Sequence, residues 1–158
     1  MSLEDIWHFA PKTWNRSYNN NLIPVLESSD EYADVENDIK KACINNQCIQ
    51  DIRRYQNIYD FGQFLLRGQI LCSENPGTQY YAVRRYVEVP KAMAELAMKH
   101  NLDHRRIQMN ALEFRSHLTN GSSNSDIYVV KILTTDPKAR CIVPYNFTEY
   151  YIEYIIYR

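Results

Sequence analysis

The chain has 158 residues, of which 45% are apolar and 23% charged, and its formal net charge is −1. These values are typical of one ordinary soluble domain, long enough to bury a core without disulfide or metal staples. Its apolar runs are short, and its first residues lack the basic and then apolar pattern of a signal peptide. We therefore expect an intracellular protein, nuclear or cytoplasmic, that does not enter a membrane.

The small net charge conceals an uneven distribution. Residues 1–52 contain 4 Lys/Arg against 9 Asp/Glu, whereas residues 53–115 contain 10 against 6. Any attraction for an anionic partner is therefore expected in the middle of the chain. Thirteen tyrosines suit a binding surface, although the codon usage of an AT-rich genome would give the same bias.

An aromatic segment opens the chain. Ser2 can cap a short helix over Leu3 to Phe9, and both tryptophans lie in this helix or just after it. Clustered aromatic side chains are usually buried, so we interpret residues 1–30 as a flap on a globular core formed by residues 31–158. The alternative is a peptide-like arm that docks on a partner.

The next stretch has helical spacing. From Ser29 or Asp30 onward, apolar residues recur at intervals of three and four. This spacing predicts one helix with an interruption near residues 45–46, or two helices, over roughly residues 31–57.

The clearest pattern is a hairpin in the middle of the chain. Two β-rich runs, Phe64 to Cys72 and Tyr80 to Val89, flank a turn sequence that contains Pro-Gly. Helices are predicted after it, from Lys91 to His100 and from His104 to about Leu118. The core is expected to include apolar side chains of this region, namely Leu66, Ile70, Val83, Val87, Leu96 and Leu112.

Three strands are predicted near the C-terminus, at Asp126 to Thr134, Cys141 to Val143 and Thr148 to Arg158. The last is rich in tyrosine and isoleucine, so we expect it to be central in the sheet or buried against another chain. The element order predicts an α+β fold in a single domain, residues 1–158. Its sheet should be mostly antiparallel, with helices before and after the central hairpin.

The spacing of reactive residues does not indicate catalysis. The four cysteines form no CxxC pair, and a predicted helix break separates His100 from His104. The four glycines are scattered, so they form no phosphate-binding loop. We favour a non-enzymatic protein without catalytic residues, metal or cofactor; the alternative is an enzyme whose site is assembled only in three dimensions.

The stronger constellation is basic and aromatic. Guanidinium groups neutralise phosphates and aromatic rings stack on bases, so the two together on a sheet favour single-stranded nucleic acid. A solvated charged sheet face would explain the same residues. Neighbouring arginines on a strand point to opposite faces, so only one of Arg84 and Arg85 can join a given surface. The candidate nucleic-acid-binding residues are Arg67, Tyr80, Arg84, Arg85, Tyr86, Arg105 and Arg106.

The same stretch resembles a known fold family. The run from Phe61 to Ile70, the turn, the strand from Tyr80 to Val89 and the following helix are similar to the last two strands and C-terminal helix of an OB fold. The likeness, over about residues 58–105, is to the replication protein A middle subunit and telomere-capping Stn-type proteins. It implies a partial OB-like barrel that binds single-stranded DNA or RNA.

Two functions are therefore expected. The first is a subunit that binds single-stranded nucleic acid within a larger complex. The alternative is a protein–protein interaction module, cellular or viral, that uses its aromatic N-terminus or binds a partner or a second copy through Tyr150 to Tyr157.

Overall fold

A single open sheet organises the molecule. The computed structural model describes residues 1–18, 21–43, 49–107, 112–118 and 124–158. Its strands are β1 (Asn21–Pro24), β2 (Asp51–Gln56), β3 (Tyr81–Pro90), β4 (Phe114–Arg115), β5 (Ser125–Thr134), β6 (Cys141–Ile142) and β7 (Tyr150–Tyr157). They lie in the order β1-β2-β7-β5-β3-β4-β6, and all neighbouring strands are antiparallel. The predicted α+β single domain is confirmed, and the sheet is not closed into a barrel.

Helices cover both faces of this sheet. They are α1 (Leu3–Phe9), α2 (Asp30–Ala42), α3 (Ile58–Glu74), α4 (Ala94–Lys99) and α5 (His104–Ile107), with 3-10 turns at Lys91–Met93 and Phe147–Glu149. Ser2 caps α1 as predicted, in a capping box with Asp5. Ser29, one of the two residues predicted at the start of α2, caps that helix. Within the described ranges, no helix is long and apolar enough to cross a membrane.

Each face of the sheet has its own core, because successive side chains of a strand point to opposite faces. Tyr128 and Val130 of β5 pack in the core that also contains Ala97 of α4 and Ile107 of α5. Ile127 and Val129 pack in the core formed with α2. The third apolar cluster lies between α3 and Tyr151 of β7, and α1 packs on α3.

The aromatic N-terminal segment packs on this third cluster. The Trp14 ring lies 5.3 Å from the ring of Phe61 and 6.3 Å from that of Tyr151. Trp7 packs against Trp14 at 6.3 Å. Both tryptophan side chains therefore make contacts within the chain.

The C-terminal strand β7 is central in the sheet, as predicted. It lies between β2 and β5, and its residues from 150 to 156 are buried. A register shift opposite Val129 and Val130 places Glu153 as an extra residue, which is a β-bulge. Because β7 has a partner on each side, it has no free edge through which the chain could bind a partner or a second copy.

The predicted hairpin is wrong in its first half. Phe64 to Cys72 belong to the helix α3, whereas β3 forms as predicted. The side chain of Asn57 accepts hydrogen bonds from the N–H groups of Tyr59 and Asp60 and so caps α3. The run that carries the resemblance to an OB fold is therefore helical at the place of the first of the two strands.

The helix predicted over roughly residues 31–57 is wrong beyond Ala42. Residues 51–56 form β2, and the proposed interruption at residues 45–46 lies outside the described residues. Ile52 and Tyr55 are three residues apart, a spacing that also fits a helix. In the strand they point to opposite faces, and each joins a different core.

The predicted core is only partly correct. Val87 and Leu112 are buried, and Val83 is partly buried. Leu66, Ile70 and Leu96, by contrast, are exposed. Leu66 and Ile70 lie on the side of α3 opposite its buried residues Phe61 and Phe64. In the predicted strand, Phe64, Leu66 and Ile70 would have shared one face.

The predicted second helix after the hairpin is shorter than expected. α5 covers His104–Ile107, and residues 108–111 lie outside the described part of the chain. Phe114 and Arg115 form β4, which pairs with β3 and β6. The prediction of a helix to Leu118 is therefore wrong at its C-terminal end.

Candidate functional site

The seven predicted nucleic-acid-binding residues do not form one surface. Arg84 and Arg85 lie on opposite faces of β3, as the alternation of a strand requires. Tyr86 is buried in the core with α2, where burial raises its pKa above the ordinary range. Tyr80 precedes β3 and is partly buried. These four residues do not offer a continuous exposed basic face.

Arg84 is the centre of an ion-pair cluster that joins β3 to α2 and β7. Its Nε donates to Glu153 at 3.1 Å and its Nη1 to Asp38 at 2.6 Å. Burial would lower the pKa of this guanidinium, but the charges of Glu153 and Asp38 outweigh burial and raise it. We call Arg84, Asp38 and Glu153 the Arg84 cluster. Its positive charge is already matched by carboxylates of the same chain.

Arg85 also has an internal role. Its side chain is buried and donates to the carbonyl groups of Arg84, Pro137 and Ala139. Burial lowers the pKa of its guanidinium. These hydrogen bonds tie the turn before β6 to β3, so Arg85 stabilises that turn and is not presented to solvent.

Two of the predicted residues, Arg67 and Arg105, contact one segment at residues 145–149, and Arg106 follows Arg105 in α5. Arg67 donates from Nη2 to Glu149 at 3.3 Å, and Glu149 accepts from the backbone N–H of Tyr145 at 3.1 Å. The guanidinium carbon of Arg105 lies 5.8 Å from the centre of the Phe147 ring. The fold therefore joins basic residues from α3 and α5 to an aromatic loop.

The surface around α5 has more cations than carboxylates. Asp103 accepts two hydrogen bonds from the Arg105 guanidinium at 3.0 Å, and Arg106 approaches the same carboxylate at 3.8 Å. The hydrogen bonds from Arg105 lower the pKa of Asp103 against the effect of burial. About two thirds of each arginine side chain is exposed, 64% for Arg105 and 67% for Arg106. One positive charge is therefore in excess here.

An exposed tyrosine completes this surface. Tyr145 is 99% exposed and lies two residues before Phe147. Sequence reasoning missed both rings, although two aromatic residues in a polar loop after a short strand are a pattern typical of binding loops. We call Asp103, Arg105, Arg106, Tyr145 and Phe147 the α5 corner.

A strained turn holds the α5 corner together. Asn101 and Leu102, between α4 and α5, have φ values of +46° and +58°, in the left-handed region that side chains disfavour. The buried Asn101 side chain donates from Nδ2 to the carbonyl groups of Phe147 and Tyr150, at 2.9 and 3.1 Å. The turn thereby attaches α5 to the aromatic loop.

A partly buried carboxyl group lies behind the α5 corner. Burial raises the pKa of Asp60, in the first turn of α3, to about 6. Burial raises the pKa of the Tyr55 and Tyr150 hydroxyl groups, and the negative charge of Asp60 raises both further. The charge of Asp103 also raises the pKa of Tyr150. Among the described residues, the Asp60 carboxyl has neither a hydrogen bond nor an ion pair with another side chain. Asp60 therefore differs from Asp38 and Glu153, whose carboxylates are each paired with Arg84.

Neither the acidic, histidine and cysteine side chains of the described residues nor the comparisons with other proteins add to this description. Within the part of the chain that the structure describes, no group of three or more His, Cys, Asp or Glu residues could hold a metal ion. Comparisons with protein-family models and with curated proteins found no match. Function must therefore be argued from the chemistry of the surface itself.

Proposed function

We propose that the chain is a non-enzymatic subunit of a larger complex and binds single-stranded nucleic acid through the α5 corner. The observation that carries this proposal is the pair of exposed guanidinium groups, on Arg105 and Arg106, that share one carboxylate next to the loop of Phe147. The exposed Tyr145 belongs to the same loop, two residues before Phe147. The excess charge attracts a phosphate, and the ring offers a face on which a base stacks.

Further cations extend the surface along the segment that leads to Tyr145. Lys138 and Arg140 are exposed, and neither forms an ion pair within the described ranges. Arg140 and Tyr145 are five positions apart in the chain, which limits the distance between their Cα atoms to about 18 Å. A strand whose base stacks on Tyr145 is therefore long enough to reach the Arg140 guanidinium as well.

The proposed surface is smaller than the one predicted from the sequence. Arg105 and Arg106 are its centre, and Arg67 lies at its border through Glu149. Arg84, Arg85 and Tyr86 are left out because their contacts stabilise the fold. The proposal rests on charge and aromatic exposure and needs no OB barrel.

The test is fluorescence polarisation with a labelled single-stranded oligonucleotide and a matched duplex, each at two salt concentrations. We expect binding of the single strand that weakens at the higher salt, and weaker binding of the duplex because its bases are already stacked. Tyr145→Ala should weaken single-strand binding roughly 5- to 150-fold, from the stacking energy of about 1–3 kcal/mol per base.

Tyr18→Ala is the control, because Tyr18 is also exposed but lies outside the α5 corner. It should bind like the wild type. No single-strand binding at the lower salt, or the same loss in both tyrosine variants, would overturn the proposal.

A further inference from the structure

The outer side of α1 and α3 carries a group of exposed apolar side chains. In α3, Tyr59, Leu66 and Ile70 repeat at spacings of seven and four residues, which puts them on one side of the helix. In α1, Leu3 and Phe9 are exposed as well. We call these five residues the α1–α3 patch. The largest apolar patch on a protein surface is often a site of interaction.

The two helices are close enough for the patch to be continuous. α1 crosses α3 at Gly62, where a Cβ atom would come within 2.7 Å of the Ile6 side chain. Leu3 and Phe9 lie one turn to either side of Ile6, and Tyr59 and Leu66 lie one turn to either side of Gly62. The exposed apolar residues therefore surround one helix crossing.

The outer side of α3 has no charge in its middle. It presents Tyr59, Gln63, Leu66 and Ile70, whereas Arg67 is turned towards Glu149. A strongly acidic or basic partner would find no counter-charge on this side. A second copy of the same surface would meet neither repulsion nor an unpaired charge.

The area of the patch fits a pair of chains. Large apolar side chains of about 150–200 Å², each roughly half exposed, give on the order of 450 Å² per copy for five residues. Two copies together with the residues around the patch reach the roughly 1,000 Å² at which specific interfaces begin.

We propose that the chain forms a homodimer through the α1–α3 patch, with the two α3 helices antiparallel across a twofold axis. This inference does not depend on nucleic-acid binding. The stripe from Tyr59 to Ile70 pairs with itself when the axis passes between Gln63 and Leu66, so that Tyr59 of each copy lies beside Ile70 of the other. Apolar contacts near Leu66 stabilise the dimer.

Sedimentation equilibrium of the full chain, from micromolar to hundreds of micromolar, tests the dimer. The wild-type mass should rise with concentration from 18.7 kDa towards twice that value. Leu66→Glu should hold it at the monomer mass, with an unchanged circular dichroism spectrum. Leu26→Glu is the control, because Leu26 is exposed outside the patch, and it should dimerise like the wild type.

A charge-pair experiment tests the symmetry of the contact without removing an apolar residue. Gln63→Glu and Gln63→Lys each place two like charges near the proposed axis, so each alone should dimerise roughly tenfold more weakly. An equimolar mixture should recover dimers. The proposal is overturned if the wild type stays monomeric at all concentrations, or if the two variants dimerise as well alone as together.

Discussion

The Arg84 cluster and the α5 corner both contain arginines paired with carboxylates, but the ratio of arginines to carboxylates differs between them. Arg84 has Asp38 and Glu153 within hydrogen-bond distance, so carboxylates outnumber the cation. At the α5 corner, Arg105 and Arg106 divide one carboxylate between them. Each site also has an aromatic ring, 5.7 Å from Arg84 and 5.8 Å from Arg105. The charge of Arg84 is therefore neutralised within the fold, whereas the α5 corner keeps one positive charge in excess.

The two sites also differ in the solvent exposure of their arginines. The Arg84 side chain is 20% exposed and Glu153 is buried, so their attraction is weakly screened and removal of one partner leaves the other unsolvated. The arginines of the α5 corner face water, where an ion pair contributes little to stability. Variants of the two sites should therefore change different properties.

The largest effect is expected at the Arg84 cluster. Arg84→Met leaves Glu153 and Asp38 without their partner and should lower the free energy of unfolding by about 3–5 kcal/mol. Arg105→Ala should unfold near the wild-type urea concentration. The double variant Arg84→Met/Glu153→Met should recover much of the loss, because it removes both buried charges. A loss below about 1 kcal/mol for Arg84→Met in urea denaturation would contradict this assignment.

A smaller loss of stability is expected at the turn that supports the α5 corner. Asn101→Ala removes two buried hydrogen bonds and places alanine in the left-handed region, so it should cost about 2–4 kcal/mol. Asn101→Gly loses the same hydrogen bonds but tolerates the backbone, and should be about 1 kcal/mol more stable than Asn101→Ala. Thermal unfolding of the two variants measures the difference. Equal stability would mean that the backbone of this turn is not strained.

Asp60 is a carboxyl group without an arginine partner among the described residues, so its removal should have the opposite effect on stability to the removal of Arg84. Its folded pKa of about 6 lies above the ordinary value of 3.8, so the folded state favours the neutral acid. Stability should therefore fall as the pH rises from about 4 to about 6, and the penalty should persist at higher pH. Asp60→Asn should raise the free energy of unfolding by roughly 1–3 kcal/mol at pH 8 and change it little at pH 4.

Glu27→Gln, at an exposed residue, is the control for the Asp60 titration and should change stability little at either pH. The measurement is urea denaturation of both variants across this pH range. An equal effect of Asp60→Asn at pH 4 and pH 8 would show that Asp60 is not the group that titrates.

The C-terminal strand was predictable because its evidence is local. An alternation of tyrosine and isoleucine that leaves both faces apolar fits only a strand covered on both sides. The middle of the chain was harder, because the run from Phe61 to Ile70 suits a buried strand as well as a helix. The signal that decides is the cap at Asn57 together with the spacing of Ile58, Phe61 and Phe64, which lie on the buried side of α3.

The candidate surface was predictable only in part. The basic residues Arg105 and Arg106 are evident from the sequence, whereas the rings beside them come from a loop about 40 residues later. Which carboxylates neutralise which arginines is decided by long-range contacts, such as that of Arg84 with Glu153. A count of basic residues therefore overestimated the exposed basic surface, because it could not subtract these internal pairs.

The most direct test of the central claim compares two matched pairs of arginines in oligonucleotide binding. Arg16 and Arg53 each have one carboxylate of their own and an aromatic ring, 5.8 and 5.0 Å away, but share no carboxylate. Single-strand affinity is measured against salt concentration for the wild type, Arg105→Ala/Arg106→Ala and Arg16→Ala/Arg53→Ala. We predict that only the first double variant binds more weakly, with a slope of log affinity against log salt that is shallower by about 0.7, from the one phosphate contact that the excess charge makes. Equal slopes in the two double variants would contradict the claim that the shared carboxylate of the α5 corner leaves a charge free for nucleic acid.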